Sequence, residues 1–185
     1  MLERSDSISP EILSVGQFDW PPSRMTITKK IILGLDPGIA DTGWGVIEKN
    51  GQKLKMFSCG SIKTSAKTDF INRLKILHQE LSQIIKKHQP DAIAVEQLFF
   101  CKNVKTALMV GQARGVCLMT IAQNNLTFFE YTPLQVKLAL TSYGRADKNQ
   151  VGQMVKVLLG LKSVPKPDDA ADALAVAITC ANSER

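Results

Sequence analysis

Lys30-Ile31-Ile32-Leu33-Gly34-Leu35-Asp36-Pro37-Gly38-Ile39-Ala40-Asp41-Thr42-Gly43-Trp44-Gly45-Val46-Ile47, continued by Glu48-Lys49-Asn50-Gly51, decides the fold. The apolar run over 30–36 reads as a strand that stops on an acid. Pro37-Gly38-Ile39-Ala40-Asp41 turns the chain into a second strand over about 42–49. Asn50-Gly51 is a strong hairpin signal, and a third strand follows over about 53–62. The outcome is a three-stranded antiparallel meander.

Working outward, Phe70, Leu74, Leu77, Leu81 and Ile84 recur at helical spacing and predict a helix over 68–88, stopped by Gln89-Pro90. The segment 91–97 is apolar through Ala92-Ile93-Ala94-Val95 and reads as a strand buried on both faces. A helix over 104–124, a short strand over 126–131 and helices over 133–140, 148–160 and 169–182 complete the chain. This order predicts an α/β fold, a mixed five-stranded sheet flanked by helices, with strands one and four adjacent. Residues 1–28, with Trp20-Pro21-Pro22-Ser23, read as a disordered extension ahead of a single domain over 29–185.

The chain has 185 residues and a formal net charge of +6. Residues 1–24 are acidic on balance; the remainder carries 21 basic against 13 acidic side chains, a net +8. That favours a polyanionic partner such as DNA or RNA. Cys59, Cys101, Cys117 and Cys180 form no CxxC pair, and His78 and His88 are the only histidines. Neither a zinc site nor a disulfide framework is expected, and a reducing cytoplasm fits. No apolar run reaches the roughly 20 residues of a membrane span, and no signal peptide is evident.

Against this basic background, Asp36 and Glu96 each end a strand-like run, and Asp169 and Asp172 share one face of the last helix. Unpaired carboxylates are costly to bury. Four converging on one point call for a cation, and a ligand set of oxygen alone suits Mg²⁺ or Mn²⁺. Two ions about 3.5–4 Å apart in one site would suit an in-line phosphodiester displacement. Bland readings stand beside this. Asp36 before Pro-Gly is a good turn residue, and Asp168 is where a helix N-cap is expected. Asp168 also pairs with Asp172 at i,i+4, so either Asp168 or Asp169 fits the pattern. Asp41, on the turn, reads as solvated.

Lys102, Lys105, Lys137, Arg145 and Lys148 bracket loops around the expected site and would neutralise phosphates. Phe99 and Phe100 leave strand four together; if the strand continues through them they point to opposite faces, and one is expected in the core. An exposed one could stack on a base, worth about 1–3 kcal/mol. The helix at 104–124 is apolar on more than one face, and Gly111, Ala113 and Gly115 permit close approach of another backbone, either within the chain or across a two-fold axis. Arg114 in its middle reads as structural or interfacial.

Taken together, Leu33-Gly34-Leu35-Asp36-Pro37-Gly38 with Thr42-Gly43-Trp44-Gly45, Ala94-Val95-Glu96-Gln97-Leu98-Phe99, Gly111-Gln112-Ala113-Arg114-Gly115 and Asp169-Ala170-Ala171-Asp172-Ala173-Leu174 resemble, in order, the motifs of the RuvC family of bacterial Holliday-junction endonucleases. The resemblance covers about 30–181. It implies an RNase H-like fold and a homodimer that nicks two opposed strands of a four-way DNA junction with Mg²⁺, beside the RuvA–RuvB branch-migration complex, in recombination and repair. It implies Asp36, Glu96, Asp169 and Asp172 as catalytic metal ligands, Lys137 and Lys148 as basic residues for DNA handling, and Phe99 as the stacking aromatic. The extension over 1–28 and the acidic turn at Asp41 depart from the family pattern. A phosphate-binding ATPase of the actin and sugar-kinase type shares the Asp-x-Gly opening, but this chain is too short for its two lobes. A junction-binding scaffold without catalysis is disfavoured by the presence of all four acids.

Overall fold

The computed structural model describes residues 29–97 and 104–183. Residues 1–28, and with them the expected extension, lie outside the described residues. The elements run β1 (Lys30–Asp36), β2 (Asp41–Asn50), β3 (Lys53–Lys63), α1 (Phe70–His88), β4 (Ala92–Glu96), α2 (Val104–Gln123), β5 (Thr127–Tyr131), α3 (Pro133–Thr141), α4 (Lys148–Leu158) and α5 (Asp168–Ser183). The sheet has the order β3-β2-β1-β4-β5. β1–β2 and β2–β3 pair antiparallel, while β1–β4 and β4–β5 pair parallel. This is the RNase H-like arrangement, with the meander and the β1–β4 adjacency as expected from the sequence.

Strand alternation sorts the side chains into two cores. Leu33, Leu35, Val46, Ile93 and Val95 pack under α1 and α2 against Leu77, Leu81, Ile85, Ala113, Cys117 and Ile121. Ile32, Ile47, Ala94 and Tyr131 face the other way, against α3, α4 and the alanine-rich α5. A stripe of glycines lets α5 press onto that second face. Gly34 pairs with Gly45, and Asp36 pairs with Gly43, across β1–β2. A Cβ on Gly34 would lie 2.0 Å from the Ala173 carbonyl oxygen, one on Gly43 2.0 Å from the Asp169 carbonyl oxygen, and one on Gly45 2.6 Å from Leu174 Cγ. No larger residue fits beneath the helix, and the close approach carries the first turns of α5 to the end of β1.

Helix starts are set by side-chain caps. Asp69 accepts from the Asn72 backbone N–H, so α1 begins at Phe70 and not at 68. Thr132 with Gln135, and Asp147 with Gln150, form reciprocal capping boxes on α3 and α4. The second of these makes Lys148 the first residue of α4. Among the described residues no helix is long and apolar enough to cross a membrane.

Candidate active site

β1 and β4 are parallel neighbours in register through Leu35↔Val95, so Asp36 and Glu96 leave the sheet side by side on the α5 face. α5 crosses that face and brings Asp169 and Asp172. One carboxylate oxygen each from Asp36, Asp169 and Asp172 lies within 4.8 Å of the others. Glu96 joins through a hydrogen bond with Asp36. Lys148, delivered by the α4 cap, sets its Nζ 2.7 Å from Asp172 Oδ2. Glu96, Lys137, Lys148 and Asp172 line one cleft of about 230 Å³. Lys148 and Asp172 also border a second cleft that extends toward Lys166 and Asp168.

The electrostatics follow from crowding acids where water is scarce. Burial first, and the Asp36 charge next, push Glu96 up to about 8. Burial and the Asp172 charge push Asp36 up to about 6. Burial also raises Asp172, against the opposing pull of Lys148. The hydrogen bond to Asp172 in turn raises Lys148. Near neutral pH, Asp36 and Glu96 therefore hold a proton between them. A divalent cation fits this set, since hard oxygen donors that repel one another gain most from a shared positive charge.

A protein-family model described as crossover junction endodeoxyribonuclease RuvC matches residues 32–180. The chain belongs to the RuvC family. It is 56% identical over 155 residues to the crossover junction endodeoxyribonuclease RuvC of Halothermothrix orenii, covering 84% of this chain and 94% of that one. The structure of Thermus thermophilus RuvC in complex with Holliday junction substrate superposes with a TM-score of 0.76 at 34% identity, over 82% of this chain and 93% of that chain. The yeast mitochondrial Holliday junction resolvase Ydc2 shares the fold, with a TM-score of 0.61 at 17% identity over 82% and 78% of the two chains. The activity of the RuvC family is that of an endodeoxyribonuclease acting at DNA crossovers, and this chain is such an enzyme.

Two acids sit differently from the sequence reading. Asp168 is not the N-cap of α5 but lies in its first turn, exposed, with Lys166 Nζ at 2.6 Å from its Oδ1. It is absent from the cluster, which takes Asp169. Asp41 is not a solvated turn residue; it opens β2, and its Oδ1 is buried without a hydrogen-bond partner. Among the basic residues, Lys137 lines the first cleft and Lys148 sits on the carboxylates, whereas Arg145 is exposed in the α3–α4 loop and lines neither cleft. Phe99, Phe100 and Lys102 lie outside the described residues, as does the Lys105 side chain.

The sequence reading missed the supports. Arg73 is buried on α1, donating from Nε to Thr64 Oγ1 at 2.8 Å and from a terminal nitrogen to the Ile39 carbonyl at 3.2 Å. Thr64 Oγ1 itself donates to that carbonyl. The turn that follows Asp36 is thereby tied to β3 and α1. A signal existed: Arg73 stands four residues before Leu77 on the buried stripe, where an arginine must find partners. Glu130 and the side chain of Gln97, which hydrogen-bond each other, were missed as well.

Proposed function

We propose that this chain resolves four-way DNA junctions by paired symmetric nicks, with Asp36, Glu96, Asp169 and Asp172 holding Mg²⁺ or Mn²⁺, two ions per site. The single observation that carries this reading is the convergence of three aspartates within 4.8 Å at the ends of β1 and α5, backed by Glu96. Bound there, such ions supply an activated water and charge stabilisation for the leaving oxygen. The protein's own contributions are separate. Asp36 and Glu96 release the proton they share, so the site matures as pH rises. Lys148 balances Asp172 and offers a cation at the cleft edge to a phosphate. Lys137 places a second cation along the same cleft. Lys102, Lys105 and Arg145 extend phosphate contact, and Phe99 stacks on an unpaired base near the crossover.

Two opposed cuts need two sites, and α2 supports a homodimer. Val104, Leu108 and Met119 are exposed on this helix, with 65% of Leu108 open to solvent, and a Cβ on Gly115 would meet nothing. The spacing of 104, 108, 115 and 119 puts them on one stripe, suited to an isologous partner. Family membership supports work beside the RuvA and RuvB branch-migration complex, in the cytoplasm.

The test is a nicking assay on a synthetic four-way junction beside matched linear duplex, with Mg²⁺ and with EDTA. Paired symmetric nicks on the junction alone, lost in EDTA and in Asp36→Asn, are the expected result. Junction binding without cuts in either metal, or equal cutting of linear duplex, overturns the reading.

A further inference from the structure

The polar groups outside the carboxylate site include one connected set that the chemistry above does not use. It lies on the opposite face of the sheet, directly behind Glu96. Gln97 follows Glu96 in the chain, so alternation sends its side chain to the α2 face. There its Nε2 donates to Glu130 Oε2 at 2.8 Å. Glu130 stands on β5, beside Val95 in the parallel register. Its other oxygen is ion-paired with the Arg114 guanidinium from the middle of α2. The backbone N–H of Gln97 donates to the Tyr131 carbonyl at 2.8 Å, which carries the β4–β5 ladder one residue past Glu96. Both charged partners are about three-quarters withdrawn from solvent.

We propose that Arg114, Glu130 and Gln97 act as positioning residues for Glu96. The inference rests on the reading of Glu96 as a metal ligand. β4 is only five residues long, and Glu96 is its last. A strand end frays unless its final groups are paired. Fraying would open the end of β4 at the residue whose placement matters most. The relay opposes that from behind. Arg114 fixes Glu130, Glu130 fixes Gln97, and the peptide between Gln97 and Glu96 cannot rotate without breaking both the side-chain bond and the bond to Tyr131. Glu130 thereby serves the site without touching it, and α2, the helix proposed to meet the second copy, becomes mechanically continuous with the metal ligand.

The test uses the full chain. Glu130→Gln keeps shape and a hydrogen bond to Gln97 but drops the ion pair; Arg114→Ala, Glu130→Ala and their double variant complete a cycle, and Arg114→Lys restores a cation. Mn²⁺ binding by calorimetry without DNA is read beside the Mg²⁺ concentration for half-maximal single-turnover nicking, and junction affinity is read in EDTA. Outer-sphere partners of metal ligands are typically worth about 10–100-fold in metal affinity. The expected result is Mn²⁺ binding weakened about 10-fold in Glu130→Gln and Glu130→Ala, with the nicking curve moved equally, junction affinity unchanged, partial recovery in Arg114→Lys, and a double variant no worse than either single one. Unchanged Mn²⁺ binding in Glu130→Gln, or losses that track junction affinity, overturns the proposal. Failure of the wild-type chain to nick junctions would instead sink the functional reading, and the calorimetric arm would still decide the relay.

Discussion

Glu96→Gln should raise the stability of the metal-free protein while abolishing cleavage. Glu96 sits at about 8 in the folded chain against an ordinary 4.5. Between those two values the folded state holds a proton that the unfolded state has released. Wild-type stability therefore falls as pH rises from 4.5 toward 8, and is greatest on the acid side of that window. At pH 7 the proton must be taken up across 2.5 decades of affinity (7 − 4.5), which at about 1.36 kcal/mol per decade opposes folding by about 3 kcal/mol. Asp36 shares the proton, so the part removed by substitution is smaller, about 1.5–3 kcal/mol. For a chain of this size that is a rise in Tm of roughly 3–10 °C. Glutamine keeps the shape and can still donate to Asp36.

The assay is thermal unfolding of both proteins in EDTA at pH 5 and pH 7, then at pH 7 with excess Mg²⁺. At pH 5 only half a decade separates the states, and the gain should shrink to below about 1 kcal/mol. Added Mg²⁺ should stabilise the wild type more than the variant, by mass action on the folded state. A variant less stable than wild type at pH 7 in EDTA would refute the reasoning. So would an equal gain at both pH values, since the effect would then come from packing and not from the trapped proton.

Other outcomes follow from the same geometry. Gly43→Ala would place a Cβ 2.0 Å from the Asp169 carbonyl oxygen and should displace the start of α5, lowering stability by about 1–3 kcal/mol in denaturant melts and cutting nicking far more than junction binding. The Mg²⁺ concentration for half-maximal nicking should fall as pH rises from 6 to 8, because protons on Asp36 and Glu96 compete with the ion; a requirement that is flat with pH contradicts the assignment. Lys148→Met removes the cation 2.7 Å from Asp172 and should slow single-turnover nicking at least about 10-fold while folding is retained by circular dichroism. Arg73→Met removes the two guanidinium bonds to Thr64 and Ile39, leaving only the Thr64 hydroxyl on the Ile39 carbonyl, and should cost about 1–3 kcal/mol of stability in urea unfolding.

The acids were legible because they break a pattern. Asp36 and Glu96 stop apolar runs where a strand interior would favour Leu or Val, and the i,i+3 spacing of Asp169 and Asp172 needs only local geometry. The meander was legible from Asn50-Gly51, and the β1–β4 adjacency from the order of elements. What could not be read is whatever depends on register between distant strands. Gly34, Gly43 and Gly45 sit inside runs that read as strands, with nothing in the chain to say why they are glycine; their function is to be thin beneath α5, which is visible only once Gly34 faces Gly45 and Asp36 faces Gly43. Lys148 reads as a loop lysine until the Asp147–Gln150 capping box aims it at Asp172. The choice between Asp168 and Asp169 turned on one step of helix rotation, which the sequence alone leaves open and the packing of α5 decides.

The same contrast explains why Arg114 reads only as structural or interfacial in the sequence, without its partner Glu130. They are 16 residues apart, on elements whose contact requires the β5 strand to lie parallel beside β4. Neither residue type is unusual where it stands, since a charge in a helix or in a short edge strand normally meets water. Their meaning comes from position relative to Glu96: the acid and its supports occupy opposite faces of one sheet at one level. A site of mutually repelling groups needs such backing, because the force that makes it bind cations also works to take it apart. The carboxylates are held from α5's side by glycines that admit the helix and from α2's side by a salt bridge behind the strand. Loosening either should raise the metal requirement before it weakens DNA binding, and that order of failure distinguishes a preorganised metal site from acids that merely lie close together.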